Sequence, residues 1–105
     1  MIEITYDRTK VSLEIKGHAE SGEHGHDLVC AACSQSAYTF AAAVLGMEEL
    51  GQKPKIRLAL GDSKVSFKPY KKNRDLVLFA LDNIALGFKI LANSYPGNAK
   101  FEIIE

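Results

Sequence analysis

Apolar residues occupy every second position in Ile2, Ile4 and Tyr6, and again in Val11, Leu13 and Ile15, with polar Asp7-Arg8-Thr9-Lys10 between them. A side-chain period of two puts each trio on one face of a strand, so this stretch reads as a hairpin ending near Gly17. The pattern returns in Ile56, Leu58 and Leu60, a turn at Gly61-Asp62-Ser63, then Val65 and Phe67. Two hairpins commit the chain to a partly antiparallel sheet with an apolar face that another layer must cover.

Two helical stretches can supply that layer. Asp27 is expected to open the first helix, with Gly51 just past its end as a C′ residue. Val29, Cys33, Phe40, Val44 and Met47 would form its buried stripe. Asn73 is expected to cap the second helix, which runs to about Ala92 before Asn93 and Pro96. Its stripe would be Val77, Ala80, Leu81, Ile84, Phe88 and Leu91. Leu76, Phe79, Leu86 and Ile90 make another side of this helix apolar, which suggests a partner surface and a homodimer. Phe101 and Ile103 read as a short last strand. The order is strand-strand-helix-strand-strand-helix-strand. The expectation is an α+β, two-layer fold: a mixed, partly antiparallel sheet with two helices packed on one face. With 105 residues and no repeat or linker, residues 1–105 are expected to form one domain.

The balance of 13 Lys+Arg against 13 Asp+Glu gives no overall basic excess, so direct nucleic-acid binding is not expected. No apolar run is read as reaching the ~20 residues that span a bilayer, and the alternating start is unlike a signal peptide. The chain is expected to be cytoplasmic, without membrane contact. Its two cysteines would then be reduced and call for an explanation other than a structural disulfide.

The chemistry concentrates in Gly17–Ser34, which holds all three histidines (His18, His24, His26) and both cysteines. Gly17–Gly25 has three glycines and no apolar period, so it reads as a loop in which Gly22 and Gly25 permit movement over a substrate. Cys33 falls in the middle of the first helix's stripe, where a thiol behaves as a small buried hydrophobe. Cys30 falls at the stripe's edge, in the expected first turn, where free N–H groups and the dipole favour a thiolate. Those N–H groups could also stabilise an oxyanion. His18, at the end of the second strand, could fold against Cys30 as base and then acid. Asp27 could cap the helix or orient the His18 ring. His24 and His26 read as exposed loop residues.

The same residues admit other chemistries. Cys30 and Cys33 with two histidines could make four zinc ligands, but structural zinc usually draws its Cys-x-x-Cys from a tight turn, not from an alanine-rich helix. A redox dithiol would want a thioredoxin-like strand order, which is absent. No phosphate-binding glycine pattern is present. No metal and no cofactor are expected. A non-catalytic binding module whose cysteines are incidental remains as an alternative.

Gly17-His18-Ala19, Gly22, Gly25, Asp27, Val29-Cys30-Ala31-Ala32 and Ser34, with twelve residues from histidine to cysteine, resemble the signature of the ribosomal-processing cysteine protease family. The resemblance implies a bacterial, cytoplasmic endopeptidase with a small dimeric α/β fold. It further implies removal of an N-terminal extension from the precursor of large-subunit ribosomal protein 27, after an aromatic-rich stretch. It makes His18 the catalytic histidine and Cys30 the nucleophile. Asp27 and Ser34 match motif positions in supporting roles, and Cys33 matches a variable one. Glu20, Glu23 and Asp27 would then complement the basic charge of a ribosomal protein.

Overall fold

The computed structural model describes residues 1–18, 24–59 and 61–105, with the backbone alone over 24–27. Its elements are β1 (Ile2–Asp7), β2 (Ser12–Lys16), α1 (His24–Gly46), β3 (Gly51–Arg57), β4 (Asp62–Pro69), α2 (Arg74–Ser94) and β5 (Ala99–Ile104). Short 3-10 turns, Glu48–Leu50 and Lys71–Asn73, precede β3 and α2. The strands form one sheet in the order β3-β4-β2-β1-β5. All neighbours are antiparallel except β1 and β5, which run parallel from Ile2↔Ala99 to Asp7↔Ile104. The α+β expectation, with a mixed sheet and two helices, is met.

Period-two patterning decides which face the helices cover. Ile2, Ile4, Tyr6, Leu13, Ile15, Val65 and Phe67 are buried in one cluster with Val29, Cys33, Phe40 and Val44 of α1 and Val77, Leu81 and Phe88 of α2. Alternate positions Glu3, Lys16, Lys64 and Lys68 stay exposed on the open face. Tyr6 and Phe40 meet edge to face with centroids 5.8 Å apart, which joins β1 to α1. Gly87 brings the helices together: a Cβ there would lie 3.2 Å from the Ser36 Oγ.

A polar clamp closes the opposite end. Arg8 donates from Nε and Nη2 to the two carboxylate oxygens of Asp82, at 3.0 and 3.2 Å, and Tyr6 donates its hydroxyl to Asp82 at 2.8 Å. This paired fork ties the β1 end to α2. Burial first, and the Asp82 carboxylate next, hold the Tyr6 phenol well above its ordinary pKa.

Several boundaries depart from the sequence reading. Helix α1 begins at His24, so Asp27 stands inside it and not at its cap, and Gly25 is helical and not part of a loop. The helix stops at Gly46. Gly51 opens β3, and its lack of a side chain answers close packing: a Cβ would meet Pro69 Cα at 2.7 Å and Phe67 Cζ at 2.8 Å. The second hairpin starts earlier than its alternation suggests. Strand β3 ends at Arg57, leaving Leu58 beyond it, while Asp62 and Ser63 already pair within β4. Leu60 lies outside the described residues. Val11 is buried as expected, but in the turn with φ 53°, so β2 starts one residue later.

Asn73 occupies the N-cap position of α2, yet its Nδ2 donates to the Leu50 carbonyl at 3.1 Å and caps nothing. On α2, Leu78 and Ala85 take buried places expected for Ala80 and Ile84, because the stripe is rotated towards α1. Leu28–Gly46 is, by length and composition, apolar enough to cross a membrane, contrary to the reading of the bare sequence. Its inward side is core, from Val29 through Phe40 to Val44, so the run serves as the central helix of this sheet.

Phe40 is fully buried against Tyr6, so Phe40→Ala should cost about 3–5 kcal/mol of stability in urea unfolding. Leu45→Ala, at a 50 % exposed position on the same helix, should fall within about 0.5 kcal/mol of wild type. Equal losses would refute this placement of the core.

Candidate active site

At the end of β2 two glycines bring three backbone segments together. Gly17 has φ 92° and Gly61 φ 75°, a left-handed backbone that costs glycine no steric penalty. The Gly17 N–H donates to the Gly61 carbonyl at 3.0 Å, and a side chain at Gly17 would run into the Met1 carbonyl. The Met1 amino group donates to the His18 carbonyl at 2.6 Å. His18 therefore leaves the sheet from a backbone held on both sides. Its imidazole lies directly over Gly61, where a Cβ would come within 2.5 Å of Cε1 and 2.6 Å of Nε2.

Helix α1 supplies the facing wall. Cys30 and Ser34 are one helical turn apart on the same side. They share with His18 a cleft of about 150 Å³, whose apolar walls include Ile2, Ile15, Tyr38 and Leu58. That volume suits one side chain of an extended substrate better than a whole small-molecule ligand. Among the described residues no hydrogen bond joins His18 to Cys30. Such pairs often tighten only around substrate.

The structure separates the two cysteines as helical phasing predicts. Cys33 is 5 % exposed in the core, and burial, followed by the nearby Cys30, pushes its thiol up to about 11. At neutral pH it is a protonated, inert hydrophobe. Both thiols border the cleft, but Cys30 is half-buried where Cys33 is buried.

One part of the expected activation is corrected. Cys30 lies six residues past the start of α1 and not in its first turn. The helix dipole has faded there, and interior N–H groups are already bonded along the helix. Oxyanion stabilisation by free N–H groups beside Cys30 falls for the same reason. What remains for Cys30 is the imidazole across the cleft. Gly22, Glu20 and Glu23 lie outside the described residues, as do the side chains of His24, His26 and Asp27, and with them the orienting role considered for Asp27. Among the described residues no group of three or more His, Cys, Asp or Glu side chains could hold a metal ion.

Sequence reading missed the contribution of the second hairpin. Gly61 and Ser63 read only as turn residues, yet both line the cleft, as does Leu58. The signal was a glycine beside a hairpin turn, which implies a backbone other residues avoid, but nothing local says that a histidine will rest on it.

Because Cys33 is buried and its thiol raised, iodoacetamide near neutral pH should modify Cys30 alone, read by peptide mass spectrometry. Cys33 should react only after unfolding in urea. Equal labelling of both thiols in the folded protein would contradict this geometry.

Known proteins share the fold. The family described as cysteine protease Prp matches residues 1–100. Ribosomal processing cysteine protease Prp of Staphylococcus aureus is 26 % identical over 84 residues, covering 80 % of this chain and 77 % of the relative. The crystal structure of the S. aureus protease with a covalently linked product peptide superposes with a TM-score of 0.72 at 23 % identity, covering 98 % of this chain and 99 % of that one. A Streptococcus mutans protein gives 0.71 at 24 % identity, covering 98 % and 91 %. With the family matched over nearly its whole length, a core helix carrying Cys30 and a strand end carrying His18, the chain belongs to the Prp family of cysteine proteases.

Proposed function

We propose that the protein is a cytoplasmic endopeptidase that removes the N-terminal extension from the precursor of large-subunit ribosomal protein 27. The observation that supports the reading is that His18 and Cys30 both line one cleft. The S. aureus relative is named as a ribosomal processing protease, and one of its structures holds a substrate peptide. The apolar walls formed by Ile2, Ile15, Tyr38 and Leu58 favour an aromatic-rich stretch. Two free cysteines suit a reducing compartment.

The reaction follows from the two side chains. The His18 imidazole takes the proton from Cys30 Sγ, and the thiolate attacks the scissile carbonyl carbon. As the tetrahedral intermediate collapses, the imidazolium gives that proton to the leaving amine and a thioester remains. His18 then deprotonates water, which attacks the thioester and releases the acid, restoring the thiol. Gly61 positions the imidazole by leaving room beneath it. Ser34, on the Cys30 side of the cleft, is a polar partner for the bound peptide.

Incubation with an extended ribosomal-protein precursor tests the assignment. Cys30→Ala and His18→Ala should each lower kcat by about 10⁴-fold or more. Cys33→Ala should cleave within a few fold of wild type. Cleavage retained without Cys30 but lost without Cys33 would overturn these roles.

The protein is further read as a homodimer. Leu76, Phe79, Leu86 and Ile90 of α2 are 50–71 % exposed, a row of large apolar side chains at helical spacing. In sedimentation velocity the wild type should run as a dimer and Phe79→Asp as a monomer. An unchanged sedimentation coefficient in the variant would place any interface elsewhere.

A further inference from the structure

The equal totals of acidic and basic residues conceal a segregated charge. A groove of about 600 Å³ runs between the β1–β2 turn and the β3–β4 hairpin, with Arg74 at the start of α2 also in its lining. Its lining includes Lys10, Lys53, Lys55, Lys64, Lys68 and Arg74, six of the 13 Lys+Arg, and among the described residues no carboxylate. None of the six is within ion-pair distance of a carboxylate among the described residues, although Glu14 stands opposite Lys64 in the sheet. The ion pairs of the described residues use Arg8, Lys16 and Arg57 instead. Register explains the concentration: Val65 and Phe67 face the core, so Lys64 and Lys68 face outward, and Lys55 pairs with Ser66 between them.

We infer that this groove is a docking surface for the phosphate backbone of double-stranded nucleic acid. Three observations select that occupant. The cations are spread out: Lys64 and Lys68 alone are four strand residues apart, about 13 Å. A single phosphate would need convergence, whereas a repeating polyanion needs this spacing. Five of the six are lysines, which act on phosphate as point charges and lack the planar fork suited to carboxylate pairs. Arg74 already spends Nη2 on the Arg8 and Thr9 carbonyls, so it contributes mainly charge. Finally, the aromatic residue in the lining, Phe67, is 2 % exposed. Without a stacking platform the groove favours paired bases over single strands, and shape over sequence. A lipid surface fits poorly, since the site is concave and its apolar lining residues Val11 and Phe67 are buried.

The groove opens beside the β1–β2 turn and the start of α2, and its Lys10–Ser12 wall is at the opposite end of β2 from Gly17 and His18. Binding there can be altered without touching the cleavage site, and the inference does not depend on the proposed substrate.

Fluorescence anisotropy with a labelled RNA duplex of about 20 base pairs, titrated with the full chain at about 50 mM salt, reads the binding directly. Wild type should bind, with log affinity falling against log salt with a slope of about −4, as four or five phosphate contacts require. The Lys64→Glu/Lys68→Glu variant should bind at least tenfold more weakly while keeping its unfolding midpoint and its cleavage of a short peptide. Lys53→Ala/Lys55→Ala should weaken binding by a smaller factor, which guards against a folding artefact in the first variant. No binding by wild type at low salt, or equal affinity in the lysine variants, overturns the inference. So does equal or tighter binding of poly-glutamate or of phosphatidylserine vesicles, which would assign the groove to acidic protein or to membrane.

Discussion

Strand β1 is hydrogen-bonded along both edges, antiparallel to β2 and parallel to β5, and the remaining architecture leans on that arrangement. A parallel neighbour cannot be reached by a tight turn. The chain must leave the sheet and return, and α2 supplies the return before β5. With neighbours on both sides, the inward residues of β1 become the centre of the core: Ile2, Ile4 and Tyr6 are all at most 3 % exposed. Helix α1 packs across this strand through Phe40, and α2 is latched to its far end through Asp82. Helix α1, which carries Cys30, is therefore held against a strand that cannot shift register without turning its apolar face to water.

That rigidity is what a Cys–His pair on different elements requires. Cys30 belongs to a helix whose buried side anchors it, and His18 to the first residues beyond β2. Each is held by backbone geometry, while the cleft between them stays accessible. The glycines at 17 and 61 remove side chains where the chain segments meet, and the imidazole occupies the space left over Gly61. In the proposed reaction, the departure of Cys30 from the helix start leaves the imidazole, and not the helix dipole, to form the thiolate. This makes the position of His18 the more sensitive part of the site.

Charge is unevenly distributed over the same frame. Total charge is zero, yet lysines outside the ion pairs gather near β3 and β4, with Glu14 opposite Lys64, while Asp82 and Asp62 are occupied by Arg8, Arg57 and Lys16. A sum over the sequence loses this information, because it is strand pleat and register that put Lys64, Ser66 and Lys68 on the same surface.

Read by itself, the sequence determined the strand and helix order, because alternation and helical spacing are local properties that the sheet and core merely use. It also separated Cys30 from Cys33, since two positions three apart on a helix cannot both face the same core equally. Boundaries were less legible. Asp27 and Gly51 carry ordinary capping chemistry, but α1 begins earlier at His24, and Gly51 answers packing against Phe67 and Pro69. Tertiary structure alone decided that Gly61 lies beneath His18, that Leu58 and Tyr38 wall the cleft, and that lysines distant in sequence share one groove. Those contacts join segments tens of residues apart, and only the folded sheet brings them within reach of one another.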